Sequence, residues 1–479
     1  MCGIAGIYSA AGRPVDLHLL EAMTQVLAHR GPDGEGYVLM ALGGKEKPVP
    51  ARGRLTHSMA SGSNRYSIGF GHRRLAIVDL TPLGHQPMAS ENDRIWITYN
   101  GEIYNYRELR HELKQRGYQF RSGTDTEVIL QAYLEWGDEC LSHLNGMFAF
   151  ALWDAREDRL FCARDRFGIK PFYYRFDGER LLFASEIKSL LQDDSYRPSP
   201  DQQAVYDYLV YAVQDHTDRT FFSGIKQLKP GHSLLVRDGT LTIRPWWDLK
   251  PLDPLQAPDR IVTTFRERFE EAIRLNLRSD VPIGSCLSGG IDSSSIVCTV
   301  HKLLSLHPSE IDQTSIGGRI RTFSSCFEDS AFDERPYIRA VVKRTGAEGH
   351  EVFPDGRQLF DELPRILWHQ EEPFAGTSIM AQWAVMRLAA DSGVKVLLDG
   401  QGADELLAGY PGYLGSYGAD LLCQWRWSSF LREWKAYRKE HVVADPTIAA
   451  NLLRGFFPAS GIATLRSWVK GDRSWLDPD

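Results

Sequence analysis

The second residue of the chain is a cysteine, and at that position it could act as a nucleophile. If Met1 is removed, Cys2 carries both a thiol and a free α-amino group. An unperturbed thiol titrates near about 8.5 and an α-amino group near about 8, so the amine can take up the thiol proton at physiological pH. A chance cysteine is the alternative, because short motifs often match without function. The hypothesis therefore depends on residues elsewhere in the chain.

Two stretches could supply a catalytic cysteine with partners. Asn100 and Gly101 offer a side-chain amide and a backbone N–H side by side, the two donors that an oxyanion hole needs; the alternative is an Asn-Gly turn that closes the preceding strand. Arg73 and Arg74 lie in a strand-like run over residues 68–78 and should point to opposite faces, so only one can bind a carboxylate in a pocket. Two solvated arginines are the alternative.

A third candidate is Asp125, at the start of a predicted helix that runs to Trp136. Thr124 and Glu127 are spaced as a capping box. That arrangement leaves Asp125 free either to bind an ammonium group or merely to favour the helix dipole.

Small residues form another candidate site after the apolar run 281–287. A strand followed by small residues and a helix start predicts a phosphate cradle, since backbone N–H groups and the helix N-terminus favour anions. The alternative is an ordinary strand-to-helix turn, and the spacing differs from that of a P-loop. The residues concerned are Leu287, Ser288, Gly289, Gly290, Asp292, Ser293 and Ser294.

The elements around these residues predict two kinds of domain. A strand over residues 3–8, a helix capped by Asp16, a turn at 29–33 and strands over 147–153, 160–163 and 181–184 indicate a sheet-rich layer. Residues 43–64 suggest a disordered surface insertion. After a linker-like stretch at 248–260, an amphipathic segment at 261–277 and strands at 321–326 and 394–398 alternate with helices, which predicts a doubly wound parallel sheet. Asp292 and Asp404 could then share one crevice and hold Mg²⁺, unless the second lies in a solvated acidic loop.

Composition excludes several classes of protein. With 479 residues, two or three domains are expected. A net charge of −7 gives no basic footprint for nucleic acid, and no segment is apolar over the length of a membrane span. Seven scattered cysteines favour reduced thiols, and the apolar start lacks the pattern of a signal peptide, so we expect a cytoplasmic protein. A homodimer is compatible with the sequence.

Taken together, the N-terminal motifs resemble the class II glutamine amidotransferase domain, an N-terminal-nucleophile fold of four αββα layers. The resemblance implies that Cys2 attacks glutamine and that Asn100 and Gly101 stabilise the oxyanion. It also implies that Arg74 binds the glutamine carboxylate, and that Glu102 and Asp125 bind its ammonium group. The matching stretches are CGI at 2–4, HRGPD at 29–33, GHRRLAIVD at 71–79, YNGEIYN at 99–105, SGTDTEVIL at 122–130, NGMFAFALWD at 145–154 and ARDRFGIKPFYY at 163–174.

The C-terminal motifs resemble a different enzyme type. SGGIDSS at 288–294 is similar to the pyrophosphate motif of N-type ATP pyrophosphatases, and LLDGQGADELLAGY at 397–410 to a segment of glutamine-dependent asparagine synthetases. The resemblance implies that ATP adenylates the β-carboxylate of aspartate and that ammonia displaces AMP. It places Ser325, Asp399 and Gly400 near ATP, Gln401 at the intermediate, and Mg²⁺ on Asp292 and Asp404.

The resemblance also sets the expected domains and the alternatives. We expect a glutaminase domain at 1–250, a linker at 251–260 and a C-terminally incomplete ATP-binding domain at 261–479. Many asparagine synthetases have glutamate where this chain has Gln401, and an amide cannot serve as a carboxylate base. One alternative is therefore an amidating or ring-closing enzyme that acts on another carboxylate. A non-catalytic regulatory homologue is a second alternative.

Overall fold

The computed structural model describes residues 1–44, 46–55, 65–250, 258–306, 316, 318–329, 332–374, 376–440, 448–449 and 451–453. The chain forms two compact units, residues 1–398 and 399–479. The strands of the described residues are β1 (Gly3–Ser9), β2 (Gly34–Met40), β3 (Val49–Arg52), β4 (Ile68–Arg74), β5 (Met88–Ala89), β6 (Ile95–Ile103), β7 (Gly146–Asp154), β8 (Arg159–Arg164), β9 (Tyr173–Phe176), β10 (Arg180–Ala184), β11 (Lys226–Gln227), β12 (His232–Arg237), β13 (Thr240–Pro245), β14 (Ile283–Cys286), β15 (Arg321–Ser325), β16 (Glu348–Val352) and β17 (Val396–Leu398).

Helices precede, separate and follow these strands. Those of the first unit are α1 (Leu17–Gln25), α2 (Tyr106–Gln115), α3 (Asp125–Trp136), α4 (Cys140–His143), α5 (Ile187–Leu190), α6 (Gln202–Tyr211), α7 (Pro258–Asn276), α8 (Ile291–Leu306), α9 (Arg335–Thr345), α10 (Gln358–Gln370) and α11 (Ser378–Asp391). The second unit contains α12 (Ala403–Leu407), α13 (Pro411–Cys423) and α14 (Trp427–Glu440). Among the described helices, none has the length and apolar character needed to cross a membrane.

Two antiparallel sheets build the N-terminal half. One has the strand order β11-β9-β10-β1-β4-β2-β3 and the other β13-β12-β8-β7-β6-β5. Apolar side chains such as Ile4, Phe70 and Ala149 fill the space between the sheets. Helices α1 and α5 pack on the outer face of the first sheet, and α2 and α3 on the outer face of the second. The expected αββα layering is confirmed.

A parallel four-stranded sheet builds the C-terminal part of the first unit, with the order β16-β15-β14-β17. One face packs against α7, α8 and α9. The other face packs against α11 through Val385 and Ala389. Helices on both faces of a parallel sheet are a doubly wound arrangement, which confirms the expected fold class.

Three local expectations were wrong. Residues 49–52 form the edge strand β3 against β2, whereas we expected disorder across 43–64; residues 45 and 56–64 lie outside the described residues. The Asn100–Gly101 pair does not close a strand, because β6 continues to Ile103 in register with β7. The predicted linker ends earlier than residue 260, because α7 begins at Pro258; residues 251–257 are not described.

Candidate active site

An open cavity of about 520 Å³ contains all six residues predicted for the glutamine site. Strands β4 and β6 bring Arg74 and Asn100 to it, and Cys2 directly precedes β1. The lining residues are Met1, Cys2, Arg74, Leu75, Ile77, Val78, Gly84, Gln86, Tyr99, Asn100, Gly101, Glu102, Thr124, Asp125, Thr126 and Lys170. The sequence motifs, which span more than a hundred residues, therefore converge on one site.

Cys2 accepts one hydrogen bond at its sulfur and another at its carbonyl oxygen. Its Sγ accepts a hydrogen bond from the Leu75 N–H at 3.3 Å, and its carbonyl accepts one from Arg30 Nε at 2.9 Å. Burial raises the pKa of the Cys2 thiol. Burial lowers the pKa of the Met1 amino group to about 5. Both shifts favour the neutral forms of the thiol and the amino group.

Asn100 lines this cavity and carries an unpartnered donor. Its side chain is 1% exposed, and Nδ2 has no hydrogen-bond partner among the described residues. A buried amide donor without a partner costs free energy unless a ligand satisfies it. The neighbouring Gly101 lies so close to β7 that an added Cβ would stand 2.3 Å from the Met147 carbonyl oxygen. Glycine at 101 is therefore required by packing as well as being a candidate donor.

The two adjacent arginines separate as predicted. Arg73 donates to Glu35 Oε2 at 2.8 Å and to the Gly31 carbonyl at 3.2 Å. Arg74 lines the cavity and donates to the carbonyls of Thr81, at 3.0 Å, and Asp79. These two bonds fix the guanidinium next to the cavity, where a carboxylate could reach its remaining N–H groups.

The two carboxylates of the cavity differ in their partners. Asp125 Oδ2 accepts hydrogen bonds from Tyr99 OH at 2.7 Å and the Ile103 N–H at 2.9 Å. Burial raises the pKa of Asp125, and those hydrogen bonds partly offset the rise. Burial raises the pKa of Glu102 to about 7, with Lys170 opposing and Asp125 adding to the shift. An ammonium group would favour the ionised form of both.

The helix start at Asp125 departs from a standard capping box. Thr124 Oγ1 accepts from the Thr126 N–H at 3.2 Å, but the Glu127 carboxylate accepts from the N–H groups of Arg121 and Ser122 instead of Thr124. Asp125 is therefore not free, because its position is set by Tyr99 and Ile103. Asp125 nevertheless lines the cavity.

Two positively charged side chains near Cys2, those of Lys170 and Arg30, were not predicted from the sequence. The Lys170 side chain is buried and donates from Nζ to Met1 Sδ at 3.0 Å. Arg30 joins the Cys2 carbonyl to Glu186, with 2.7 Å between Nη1 and Oε1. Both residues lie inside quoted motifs, HRGPD and ARDRFGIKPFYY. Their positions in those motifs were the available signal, but charge alone does not distinguish a cavity lysine from a solvated one.

The phosphate-cradle candidates follow β14 at the carboxyl edge of the parallel sheet. Gly289 has φ of +89°, a conformation that favours glycine. Ser293 Oγ accepts from the Ser288 N–H at 3.2 Å, and α8 begins at Ile291, one residue before Asp292. On the adjacent strand, Ser325 has a buried hydroxyl with no partner in the described part of the chain. Leu287, Gly290 and Ser294 lie in the same stretch.

The remaining predicted residues belong to the second unit. Asp399 and Gln401 are exposed, Gly400 is half-buried, and Asp404 lies in the first turn of α12. Asp292 and Asp404 thus lie in different units, and their joint metal binding stays a prediction. No group of three His, Cys, Asp or Glu side chains suited to a metal occurs among the described residues. Carboxylate oxygens nevertheless fit Mg²⁺, which commonly takes one or two of them together with phosphate oxygens.

The fold and the two sites define a class of protein. A near-terminal cysteine in an αββα sandwich lies beside a donor-rich cavity, and a parallel sheet carries a small-residue loop before a helix. This combination describes an N-terminal-nucleophile amidotransferase half joined to an ATP-pyrophosphatase-like half.

Comparison with known proteins identifies the family. A glutamine amidotransferase domain model matches residues 51–247, and an asparagine synthase model matches residues 264–468. Asparagine synthetase [glutamine-hydrolyzing] 1 of Bacillus subtilis is 35% identical over 86% of this chain and 59% of its own length. Putative asparagine synthetase [glutamine-hydrolyzing] 2 of Methanocaldococcus jannaschii is 32% identical over 88% and 78%. Amidase chry2 of Gibberella zeae is 31% identical over 97% and 67%. The chain belongs to the glutamine-hydrolysing asparagine synthetase family, and it spans 59% of the length of the Bacillus relative.

Proposed function

We propose that this chain hydrolyses glutamine at Cys2 and delivers the ammonia to an ATP-activated carboxylate, with aspartate as the acceptor. The observation that supports this most directly is the unpartnered Nδ2 of Asn100, a residue that lines one cavity with Cys2. A buried donor with no partner among the described residues suits an oxyanion that forms only during reaction. The products would be glutamate, asparagine, AMP and pyrophosphate.

The first half-reaction uses the chain start as nucleophile and base. Once Met1 is removed, the Cys2 thiol attacks the side-chain amide carbon of glutamine and its proton passes to the α-amine. Asn100 Nδ2 and the Gly101 N–H hold the oxyanion. The C–N bond then breaks, ammonia leaves with the proton from the α-amine, and water hydrolyses the thioester to glutamate. Removal of Met1 would also vacate space, because Met1 lines the cavity.

Recognition of free glutamine requires both ends of the amino acid. We assign its α-carboxylate to Arg74 and its α-ammonium group to Glu102 and Asp125. The opposite charges come from different elements, the cation from β4 and the carboxylates from β6 and α3. A substrate with only one of these groups would leave a buried charge unpaired, which favours a free amino acid.

The second half-reaction uses the C-terminal part of the chain. A β-carboxylate oxygen of aspartate attacks the α-phosphorus of ATP, and pyrophosphate leaves into the loop at 288–294. Ammonia then attacks the acyl carbon and displaces AMP. We assign Mg²⁺ to Asp292 and Asp404, where it would neutralise phosphate charge. Ser325, Asp399 and Gly400 are assigned to the nucleotide and Gln401 to the intermediate, within the proposed domains 1–250 and 261–479.

The experiment compares two nitrogen donors. Cys2→Ala should abolish synthesis from glutamine and leave synthesis from ammonium salts within about twofold, because only the first half-reaction uses a nucleophilic thiol. Cys162→Ala is the matched control, since Cys162 is buried in β8 and lies outside the cavity. Loss of both activities in folded Cys2→Ala would contradict the division of labour.

A second candidate keeps both half-reactions and changes the acceptor. It is favoured by Gln401, which cannot act as a carboxylate base, and by the similarity to a protein named as an amidase. The test measures pyrophosphate release with aspartate and with a panel of other carboxylates. If aspartate gives no stimulation while another carboxylate does, the acceptor assignment is wrong and the ligase class stands.

A further inference from the structure

Residues 75–79 form a loop that contacts Cys2 at its first residue and, at its last residue, the segment that precedes the parallel sheet. At its start the Leu75 N–H donates to Cys2 Sγ, and in its middle Ile77 and Val78 line the cavity. It follows Arg74 directly. Any displacement of this loop would therefore move the sulfur's hydrogen-bond donor and part of the glutamine pocket together.

Asp79, the last residue of this loop, is held from several sides in an unfavourable backbone conformation. Its φ is +55°, which a non-glycine residue adopts at a cost in free energy. Its carbonyl accepts from Arg74, and its carboxylate accepts from the Gly123 N–H at 2.6 Å and the Thr81 N–H at 3.0 Å. Asp79 thus links Arg74, through its carbonyl, to Gly123, through its carboxylate, and Gly123 lies two residues before Asp125.

A further contact of this loop comes from the C-terminal part of the first unit. Asp280 Oδ2 accepts a hydrogen bond from the Asp79 N–H at 2.7 Å, and the Asp280 N–H donates to the Ile77 carbonyl at 3.0 Å. Asp280 lies between α7 and β14, and β14 leads directly to the loop at 288–294. A short, regular strand therefore separates the contact with the glutamine pocket from the proposed phosphate cradle.

We propose that Asp280 is a positioning residue for glutamine: it holds the 75–79 loop in its binding conformation from the ATP-binding half, and so couples occupation of the ATP site to glutamine affinity. This inference rests on the proposed function for the identity of the two ligands. A coupling of this kind is a free energy shared by two sites, so ATP must change the affinity for glutamine by the factor by which glutamine changes the affinity for ATP.

The test compares three variants of the full chain. Asp280→Ala removes the acceptor for the Asp79 N–H, and Asp280→Asn keeps an oxygen in its place. Glu108→Gln is the matched control, because it breaks another ion pair between the two halves, with 2.6 Å between Glu108 Oε2 and Arg278 Nη1, without touching the 75–79 loop. For each variant, glutamate release gives kcat and KM for glutamine with and without saturating ATP, and amide hydrogen exchange reports on the loop.

We expect Asp280→Ala to raise KM about tenfold, as the loss of one charge-assisted hydrogen bond would do, with kcat changed less than about threefold. Amide exchange at Asp79 should become faster. We expect ATP to change KM in the wild type and this effect to disappear in Asp280→Ala. Asp280→Asn keeps an acceptor oxygen but loses its charge, so it should raise KM less than Asp280→Ala does, and Glu108→Gln should keep wild-type KM and exchange.

Three results would overturn the assignment. One is unchanged KM and unchanged exchange in Asp280→Ala. Another is an equal rise of KM in Glu108→Gln, which would assign the effect to the whole contact between the halves. The third is an ATP effect that is absent from the wild type or persists in Asp280→Ala. If the wild type releases no glutamate, the proposed function fails separately, and the exchange measurement still decides whether Asp280 positions the loop.

Discussion

Replacement of Asn100 by alanine tests the proposed catalytic role of its side-chain amide. Replacement of Asn105 shows, for comparison, the effect of losing an amide that has a structural role. In the resting protein, Nδ2 of Asn100 makes no hydrogen bond to any described residue, so its removal breaks no donor bond. Asn105, five residues further along, is the opposite case. Its Nδ2 donates to the His143 carbonyl at 2.9 Å, and its Oδ1 accepts from the Asn145 N–H at 2.9 Å, and Asn105 does not line the cavity.

The magnitudes differ accordingly. Loss of one preorganised oxyanion donor lowers kcat by roughly 10²- to 10³-fold, because the donor acts only when the carbonyl oxygen becomes charged. We therefore expect this loss in Asn100→Ala, with KM for glutamine changed less than about threefold. Asn105→Ala should retain kcat but lose roughly 1–3 kcal/mol of stability, because two hydrogen bonds between segments are removed.

The assay measures glutamate release under saturating glutamine, together with the urea midpoint of each variant. Synthesis from ammonium salts should stay at the wild-type rate in Asn100→Ala, since that route bypasses the oxyanion. Wild-type kcat in a folded Asn100→Ala variant would refute the reasoning. So would a loss that appears equally in synthesis from ammonia, because it would then reflect a general structural defect.

Three further predictions concern charged residues. The kcat/KM for glutamine should rise with pH up to about 7 and then level off. Burial raises the pKa of Glu102 to about 7, and only the ionised carboxylate binds an ammonium group. Glu102→Gln should therefore remove this inflection from the pH profile. Asp292→Ala should abolish pyrophosphate release while glutamate release persists, and release of both products would contradict its proposed role. Lys188→Met should cost roughly 3 kcal/mol in urea unfolding, because the buried carboxylates of Glu186 and Glu371 both lose its ammonium group, whereas Lys226→Met, from a half-exposed pair, should cost under about 1 kcal/mol.

The sequence was most informative where the chemistry is local. Glycine, asparagine and hydroxyl residues at fixed spacing identified the candidates at Asn100, Gly101 and 288–294, because backbone approach and donor type limit which residues fit. Apolar patterns also predicted individual strands and helices, since each buries one face, whereas the αββα layering was implied by the family resemblance. These are properties of single elements, and they need no knowledge of which elements meet.

Properties that depend on pairing between distant segments were predicted poorly. The Asn-Gly dipeptide favours a turn, but the pairing of β6 with β7 carries the strand through it. Tertiary pairing overrode the local preference. Likewise, the spacing of Thr124 and Glu127 indicated a capping box, whereas the Glu127 carboxylate accepts from the N–H groups of Arg121 and Ser122. Nothing in the sequence near Asp79 indicates its contact with Asp280, two hundred residues away.

The electrostatics of Cys2 connect the fold to the proposed chemistry. Burial raises the pKa of the thiol, and burial lowers the pKa of the Met1 amino group to about 5, so this part of the protein disfavours charged forms of both kinds of group. A neutral amine can accept a proton, but a buried ion pair of thiolate and ammonium would be costly before substrate arrives. Proton transfer then becomes favourable only as negative charge moves from sulfur to the carbonyl oxygen, where Asn100 can stabilise it. The unpartnered amide and the two opposed pKa shifts are therefore parts of one arrangement, in which the nucleophile is activated by the substrate that it attacks.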